Sequence, residues 1–226
     1  DGGGNYSNPS HGQNWIDQLI KLLYDVKITG VIRWLATASI YDNMPWPNNG
    51  IMKTKEPWSG HYQIGANLWA FAHFTQFIKP GWMLMDTDSY LISDGQGGGY
   101  GRYIAYCNKE TQDYSIVVTT YADLSDDGID LKIAPKNLKT TDLHIWRSRF
   151  ENPNEQFIYT GIVSPDEKGS YHIHLDKDCV YTITTTTGQR KGNTDIPAAK
   201  TLELPYQDDF ESYSEGEMAR FFVNAS

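Results

Sequence analysis

Seven consecutive residues, Glu56-Pro57-Trp58-Ser59-Gly60-His61-Tyr62, bring a carboxylate, an imidazole and two flat rings into one loop, with Trp34 and Trp46 upstream. That set suits carbohydrate chemistry. A tryptophan face stacks on the apolar face of a sugar ring, and a glutamate can serve as one of the two carboxylates that cleave a glycosidic bond. Two readings of the tryptophans stay open at this point: a sugar-stacking surface, or core side chains that close a barrel. Spacing shows no partner carboxylate for Glu56, which therefore reads as a surface-loop glutamate. The surrounding stretch 41–60 holds Pro45, Pro47, Asn48-Asn49-Gly50, Pro57 and Gly60. It is long for a plain connector, and its aromatic content favours an ordered, functional loop.

Other constellations carry less. No G-x-x-x-x-G-K-[ST], no helix-opening G-x-G-x-x-G, no G-x-S-x-G and no H-E-x-x-H occurs, which removes the commonest nucleotide, serine-hydrolase and zinc-protease templates. Gly95-Gln96-Gly97-Gly98-Gly99 lies between expected strands and reads as a hairpin tip rather than a phosphate cradle. His172 and His174 share one strand face, but with no third ligand at recognisable spacing they read as solvent-facing or core histidines. Asp123-Leu124-Ser125-Asp126-Asp127-Gly128 resembles half of a calcium loop, yet Ala134 stands where the closing glutamate belongs, so a solvated turn is expected. No metal and no cofactor is expected.

The elements that must position these residues change in kind along the chain. Trp15, Ile16, Leu19, Ile20, Leu22, Leu23 and Val26 recur at helical spacing and predict an amphipathic helix over 13–27. Val31-Ile32-Arg33-Trp34-Leu35 predicts a short buried strand of a parallel sheet, ending at Trp34 in the manner of a barrel strand whose C-terminal edge carries the site. A second helix is expected over 66–78, stopped by Lys79-Pro80-Gly81. After Gly81, β-branched and aromatic segments recur between turn residues: 82–85, 102–107, 115–121, 129–133, 143–146, 157–162, 171–175 and 180–186. That rhythm predicts an antiparallel β-sandwich. From Gly188 onward the chain reads as a linker followed by a short acidic piece. A single buried strand between helices needs neighbouring strands. The expectation is therefore α/β plus all-β: 1–81 the C-terminal part of a TIM-barrel catalytic domain, 82–187 a β-sandwich, and 188–226 a linker with the start of a further domain.

Bulk properties narrow the partners. The 226 residues carry 19 Lys+Arg against 28 Asp+Glu, a net charge of −9. This argues against nucleic acid or an anionic membrane as a partner held by bulk electrostatics. The excess is confined to residues 87–226, which hints at two units meeting near Asp86. No apolar run is long enough to span a bilayer. Cys107 and Cys179 are the two cysteines and can pair or stay free. Asn5-Tyr6-Ser7 and Asn224-Ala225-Ser226 have the form of glycosylation acceptors, and an aromatic content of 13% suits sugar stacking as well as core packing.

Four blocks in one order carry a family resemblance. They are Glu56–Tyr62, Ala72-His73-Phe74-Thr75-Gln76-Phe77-Ile78-Lys79-Pro80-Gly81-Trp82, Tyr181-Thr182-Ile183-Thr184-Thr185-Thr186-Thr187-Gly188-Gln189-Arg190-Lys191-Gly192, and Pro205-Tyr206-Gln207-Asp208-Asp209-Phe210. Together they resemble the galactosylceramidase family, glycoside hydrolase family 59. The resemblance implies a (β/α)8 barrel, a β-sandwich and a lectin-like domain acting as a retaining exo-β-galactosidase on galactosylceramide or related β-galactosides. It also implies a lipid-presenting activator protein as a partner, and a lysosomal location in a metazoan or a secreted or extracytoplasmic one elsewhere.

Carried over residue by residue, the resemblance assigns substrate binding to Trp34 and Trp46 and no catalytic residue to this sequence. Trp34 matches a pocket-lining tryptophan at the end of the last barrel strand, and Trp46 falls where the family has a tyrosine after proline. In the family the acid/base glutamate lies on an earlier barrel strand and the nucleophilic glutamate directly precedes an Asp, so the resemblance implies that both fall before Asp1. The family also sends an arginine from the sandwich to the sugar, but the loop Ala122–Leu131 has none. In the lectin-like domain Asp209 matches one calcium ligand while Glu211 replaces an Asn, so no calcium site is expected. Glucosylceramidase-like or β-galactanase-like hydrolysis and a non-catalytic carbohydrate-binding or scaffold module are the alternatives. The barrel segment is expected to expose an apolar seam, which makes the isolated chain poorly soluble or oligomeric.

Overall fold

The computed structural model describes residues 10–39, 50–87, 90–93, 99–192 and 195–221. Trp46 and most of the 41–60 loop's first half, the Asp94-Gly95 turn with Gln96, Gly97 and Gly98, Asp1 and both sequons lie outside the described residues. In chain order the elements are α1 (Ser10–Asp25), β1 (Thr37–Ser39), β2 (Met52–Thr54), a 3-10 turn (Pro57–Ser59), β3 (Gln63–Ile64) and α2 (Ala66–Thr75). Then follow β4 (Met83–Leu84), β5 (Leu91–Ser93), β6 (Gly99–Cys107), β7 (Tyr114–Thr120), β8 (Ile129–Ile133) and β9 (Leu143–Ser148). A second 3-10 turn (Pro153–Glu155), β10 (Ile158–Val163), β11 (Tyr171–Leu175) and β12 (Val180–Thr184) complete the order.

Strand alternation builds the body of the molecule. A seven-stranded sheet runs β10-β9-β12-β7-β6-β4, with β5 also pairing β6, and β11-β8 forms a two-stranded sheet. On β7, Tyr114, Ile116 and Val118 turn to one face, where they pack with Tyr181 and Ile183 of β12, Leu143 and Ile145 of β9, and Tyr171, Ile173 and Leu175 of β11. The small sheet thus covers that face, as the predicted sandwich requires. The other face of the same strands carries Val117, Val180 and Ile104, and meets Ile16, Leu19 and Ile20 of α1 and Ala70 and Phe74 of α2. Central strands buried on both faces explain why β7 and β12 are continuously apolar or small rather than alternating with charge. Gly101 of β6 is held to glycine because a Cβ there would run into the Thr119 carbonyl of β7.

The helices form as their patterns dictate, with shifted ends. In α1, Ile16, Leu19 and Ile20 are buried at helical spacing, while Leu22 is half exposed and Val26 lies outside the helix. The expected end at 27 falls short because Lys27 takes a left-handed φ of 58°, a conformation that ends helices. Helix α2 is apolar on all sides because it is packed on all sides. Its Phe71 stacks on Trp15 of α1 at 4.1 Å, and its Ala72 joins Phe77, Trp146 and Phe157 against the sheet. After Thr75 the backbone tightens, with the amide of Phe77 bonding to the carbonyl of Phe74, ahead of Pro80.

One expectation is corrected. No strand covers 31–35: Ile32 is 99% exposed and Val31 45%. The parallel ladder starts later, with Thr37, Ala38 and Ser39 opposite Met52, Lys53 and Thr54. Backbone bonds from Ile51 to Leu35 and from Met52 to Ala36 lead into it. An apolar run becomes a strand only where a second backbone supplies its hydrogen bonds, and here that backbone meets residues 35–39. Trp34 therefore precedes the ladder instead of ending a strand. The exposed apolar seam is present and runs over Leu22, Val26, Val31, Ile32 and Trp34.

Candidate functional site

Trp34 stands at the edge of the parallel pair with 75% of its surface exposed and a cis peptide to Leu35. Within this chain its ring is not packed into a core. Trp46, the other expected sugar contact, lies outside the described residues.

The Glu56–Tyr62 motif folds into a 3-10 turn whose backbone is closed by Ser59 on the Glu56 carbonyl and by Gly60, at φ 73°, on that of Pro57. Its two polar rings face the distal chain. The Trp58 indole N–H donates to the Lys200 carbonyl at 2.6 Å, and His61 Nδ1 lies 2.8 Å from the Pro197 carbonyl. Trp58 and Ser59 share a cleft of about 370 Å³ with residues 200–203, Tyr206 and Phe221. In this structure Trp58 is a clasp on the C-terminal segment, a role between the two that the sequence left open. Glu56 is half-buried and caps the turn with its backbone.

The second and third motifs lock onto each other. His73 of α2 is completely buried, with Nδ1 2.8 Å from the Thr182 hydroxyl and Nε2 2.8 Å from the Ser148 hydroxyl. Burial with only neutral partners pushes its pKa down to about 3, so the ring is neutral under ordinary conditions. Two alternate positions of β12 carry threonines on the face that bears Val180: Thr182 also bonds the His73 carbonyl, and Thr184 meets Ser115 at 2.7 Å. Gln76 reads the backbone of Arg190 from both sides: Nε2 donates to its carbonyl and Oε1 accepts from its amide, each at 3.0 Å. These blocks are a joint between helix and sandwich.

A further joint escaped the sequence altogether. Asp17 of α1 accepts from Arg102 on β6 and from the Tyr121 hydroxyl, while Gln13 donates to the Thr120 carbonyl and Tyr24 to that of Thr87. Burial and the Asp17 carboxylate hold the Tyr121 hydroxyl well above the usual phenol range. The loop after β7, where the resemblance would want an arginine, turns through Leu124 and Gly128 and pairs Asp126 with Lys177.

The remaining candidates disperse. His172 and His174 point outward on β11 and face Asp166 at 3.6 Å and Asp130 at 2.9 Å. Among the described residues no group of three or more His, Cys, Asp or Glu is placed to hold a metal ion. Cys107 and Cys179 are free thiols, Cys179 fully buried; the β6–β7–β12 register sets them at opposite ends of the sheet. Asp208 of the fourth motif uses both oxygens locally. The Tyr213 and Tyr206 hydroxyls bond one and the Phe210 amide the other, which together hold its carboxyl below the usual range. Asp209 accepts from the Glu211 amide. No described helix is long and apolar enough to cross a membrane.

Comparison with known proteins bears on the region just described. Residues 3–76 match the family model described as Glycosyl hydrolase family 59. Galactocerebrosidase of Mus musculus is 29% identical over 196 residues, 81% of this chain and 28% of that protein. Galactocerebrosidase of Salmo salar is 29% identical over 220 residues, 90% of this chain and 31% of that protein. The chain therefore spans less than a third of the length of these relatives. Among solved structures, a family 30 subfamily 8 xylanase from Clostridium acetobutylicum matches with a TM-score of 0.58 at 14% identity, covering 80% of this chain and 39% of that one. That likeness concerns the fold, and it is to a glycoside hydrolase of the TIM-barrel class. The resemblance to the galactosylceramidase family is borne out.

Proposed function

We infer, from that family resemblance, that this chain is the sugar-holding and buttressing part of a retaining β-galactosidase acting on galactosylceramide or a related β-galactoside. The observation that carries the reading is Trp34: an open indole face lying within the segment that matches family 59. In this proposal residues 1–81 belong to a catalytic barrel, 82–187 form the sandwich that braces it through α1 and α2, and 188–226 lead to a lectin-like domain. A retaining mechanism needs two glutamates, one acid/base and one nucleophile about 5–5.5 Å apart, and the resemblance assigns neither to this sequence. Trp34 then stacks on the sugar and holds its anomeric carbon between them. Such stacking contributes most when the ring is aligned for the oxocarbenium-like transition state. The proposal extends to a lysosomal location in a metazoan and an extracytoplasmic one otherwise, and to a lipid-presenting activator as partner.

The test is Trp34→Ala in the complete protein. Loss of the stacking face is expected to lower kcat/KM for a β-galactoside roughly 30-fold, with Trp34→Phe retaining most of the activity. Unchanged kcat/KM in Trp34→Ala overturns the assignment. A substrate profile that prefers β-glucosides over β-galactosides moves the protein to the glucosylceramidase-like alternative.

A further inference from the structure

A second aromatic surface lies on the sandwich and shares no residue with the Trp34 region. It is a cleft of about 560 Å³ lined by His144 and Trp146 of β9, Phe157, Ile158 and Tyr159 at the start of β10, and Thr187–Lys191. This volume lies within the range of small-ligand pockets, about 300–1,000 Å³.

Its floor is built by strand geometry. His144 and Trp146 are two apart on β9 and so share a face, and Tyr159 sits directly opposite Trp146 in the antiparallel ladder. The register shifts immediately after Tyr159, between it and Gly161. Bulges of this kind re-aim side chains and recur next to sites. The Tyr159 ring lies 5.5 Å from Trp146 and stacks on His144 at 6.0 Å, with its hydroxyl 3.0 Å from His144 Nδ1. It is still 49% exposed. The result is a fixed aromatic platform with one side open.

The wall is equally fixed. The backbone of Arg190 is held on both sides by Gln76, and Lys191 Nζ donates to the Gln156 carbonyl while lying over Trp69. The Gln189 amide nitrogen donates to the Thr186 hydroxyl at 2.7 Å, which leaves its oxygen as an acceptor. Two donors at the cleft are uncommitted. The Arg190 guanidinium is exposed and takes no partner among the described residues. The Trp146 indole N–H takes no partner among the described residues either, and Trp146 lines the cleft. Both donors are therefore free to meet the acceptors of a ligand seated in the cleft.

We propose that this cleft binds a neutral hexopyranose unit, its apolar face on Tyr159 and its hydroxyls on the Trp146 N–H, Arg190, Gln189 and the Tyr159 hydroxyl. A pyranose is the ligand class with a flat apolar face ringed by groups that both donate and accept. Such a site would hold a glycan apart from Trp34 and raise the local concentration of sugar at the protein.

Titration of the whole chain with methyl β-galactoside and methyl β-glucoside, read by saturation-transfer NMR and calorimetry, tests this. Saturable millimolar binding is expected. Tyr159→Ala should weaken it at least about tenfold and Arg190→Ala about three- to tenfold, while both variants stay folded, with a small drop in the unfolding temperature of Tyr159→Ala from its lost contacts with Trp146 and His144. The titrations are made in the Trp34→Ala background, so that any binding at Trp34 does not contribute and the result does not depend on the reading of Trp34. The proposal is overturned by absence of saturable binding, by binding that survives both cleft variants, or by 1,2-hexanediol binding as tightly as the glycosides.

Discussion

Acidification from pH 6.5 toward pH 4.5 is expected to lower the folding stability of this chain by about 2–3 kcal/mol, and His73→Gln is expected to remove most of that dependence. The sign follows from the two states of one imidazole. Unfolded, His73 titrates at its ordinary value of 6.5; folded, burial lowers that to about 3. Between these values the unfolded chain binds a proton that the folded chain refuses. Stability is therefore complete above 6.5 and is lost as the pH falls toward 3, with a limiting slope of about 1.4 kcal/mol per pH unit. The carboxylates held low act in the same direction but later. Asp113 is buried in part, yet Lys139, Thr111 and Thr185 keep its pKa under the ordinary 3.8, and the Ser170 backbone does the same for Asp166. Their protonation adds to the loss only near and below that pH, so over about 4.5 to 6.5 the difference between the wild type and His73→Gln reads His73. Urea midpoints across that interval measure it; parallel slopes in the wild type and His73→Gln would contradict the account.

Phe157→Ala is expected to cost about 3–5 kcal/mol, the largest loss for any single truncation at the helix–sandwich joint. Phe157 is 0% exposed and is the hub of that joint: its ring lies 4.7 Å from Trp146, 5.8 Å from Trp69, 5.9 Å from Phe77 and 5.2 Å from His73. Those partners come from α2, the turn after it and β9, so a cavity there cannot be closed by moving one element alone. The backbone at 157 holds φ 52°, in the left-handed region, and alanine gains no relief from it. Urea unfolding reads the loss, and hydrogen exchange should show the α2 amides losing protection more than those of β11. A loss below about 1 kcal/mol, or equal effects on α2 and β11, would contradict the view that α2 depends on this ring.

How much of this was legible depended on whether the physics was local. The strands at 129–133 and 171–175 were legible because each alternates over five residues between turn signals, and both have the expected bounds. Leu91–Ser93 was not, since three residues carry no period and that strand exists only because β6 offers it an edge. The segment 31–35 misled for the converse reason: its apolar run satisfies the pattern, but pairing begins at the backbone around Leu35. At the candidate site, Trp34 was found through a family motif, and its exposure required the fold. Asp17, Arg102 and Tyr121 left no local signal, because partners 85 and 104 positions apart meet only once α1 lies on the sheet. The Tyr159 platform was equally silent, being a cross-strand pair beside a bulge. The motif that looked most like chemistry, around Trp58, and the resemblance block around His73 hold the tail and the helix in place.

The central proposal is that this chain holds the sugar and contributes neither glutamate of the retaining pair. Its most direct test measures turnover of a chromogenic β-galactoside by the purified 226-residue chain and by the complete protein under the same conditions. The account predicts no hydrolysis by the chain alone, and hydrolysis with release of the β-anomer by the complete protein. Sustained turnover by the chain alone, at a rate comparable with the complete protein, would contradict it.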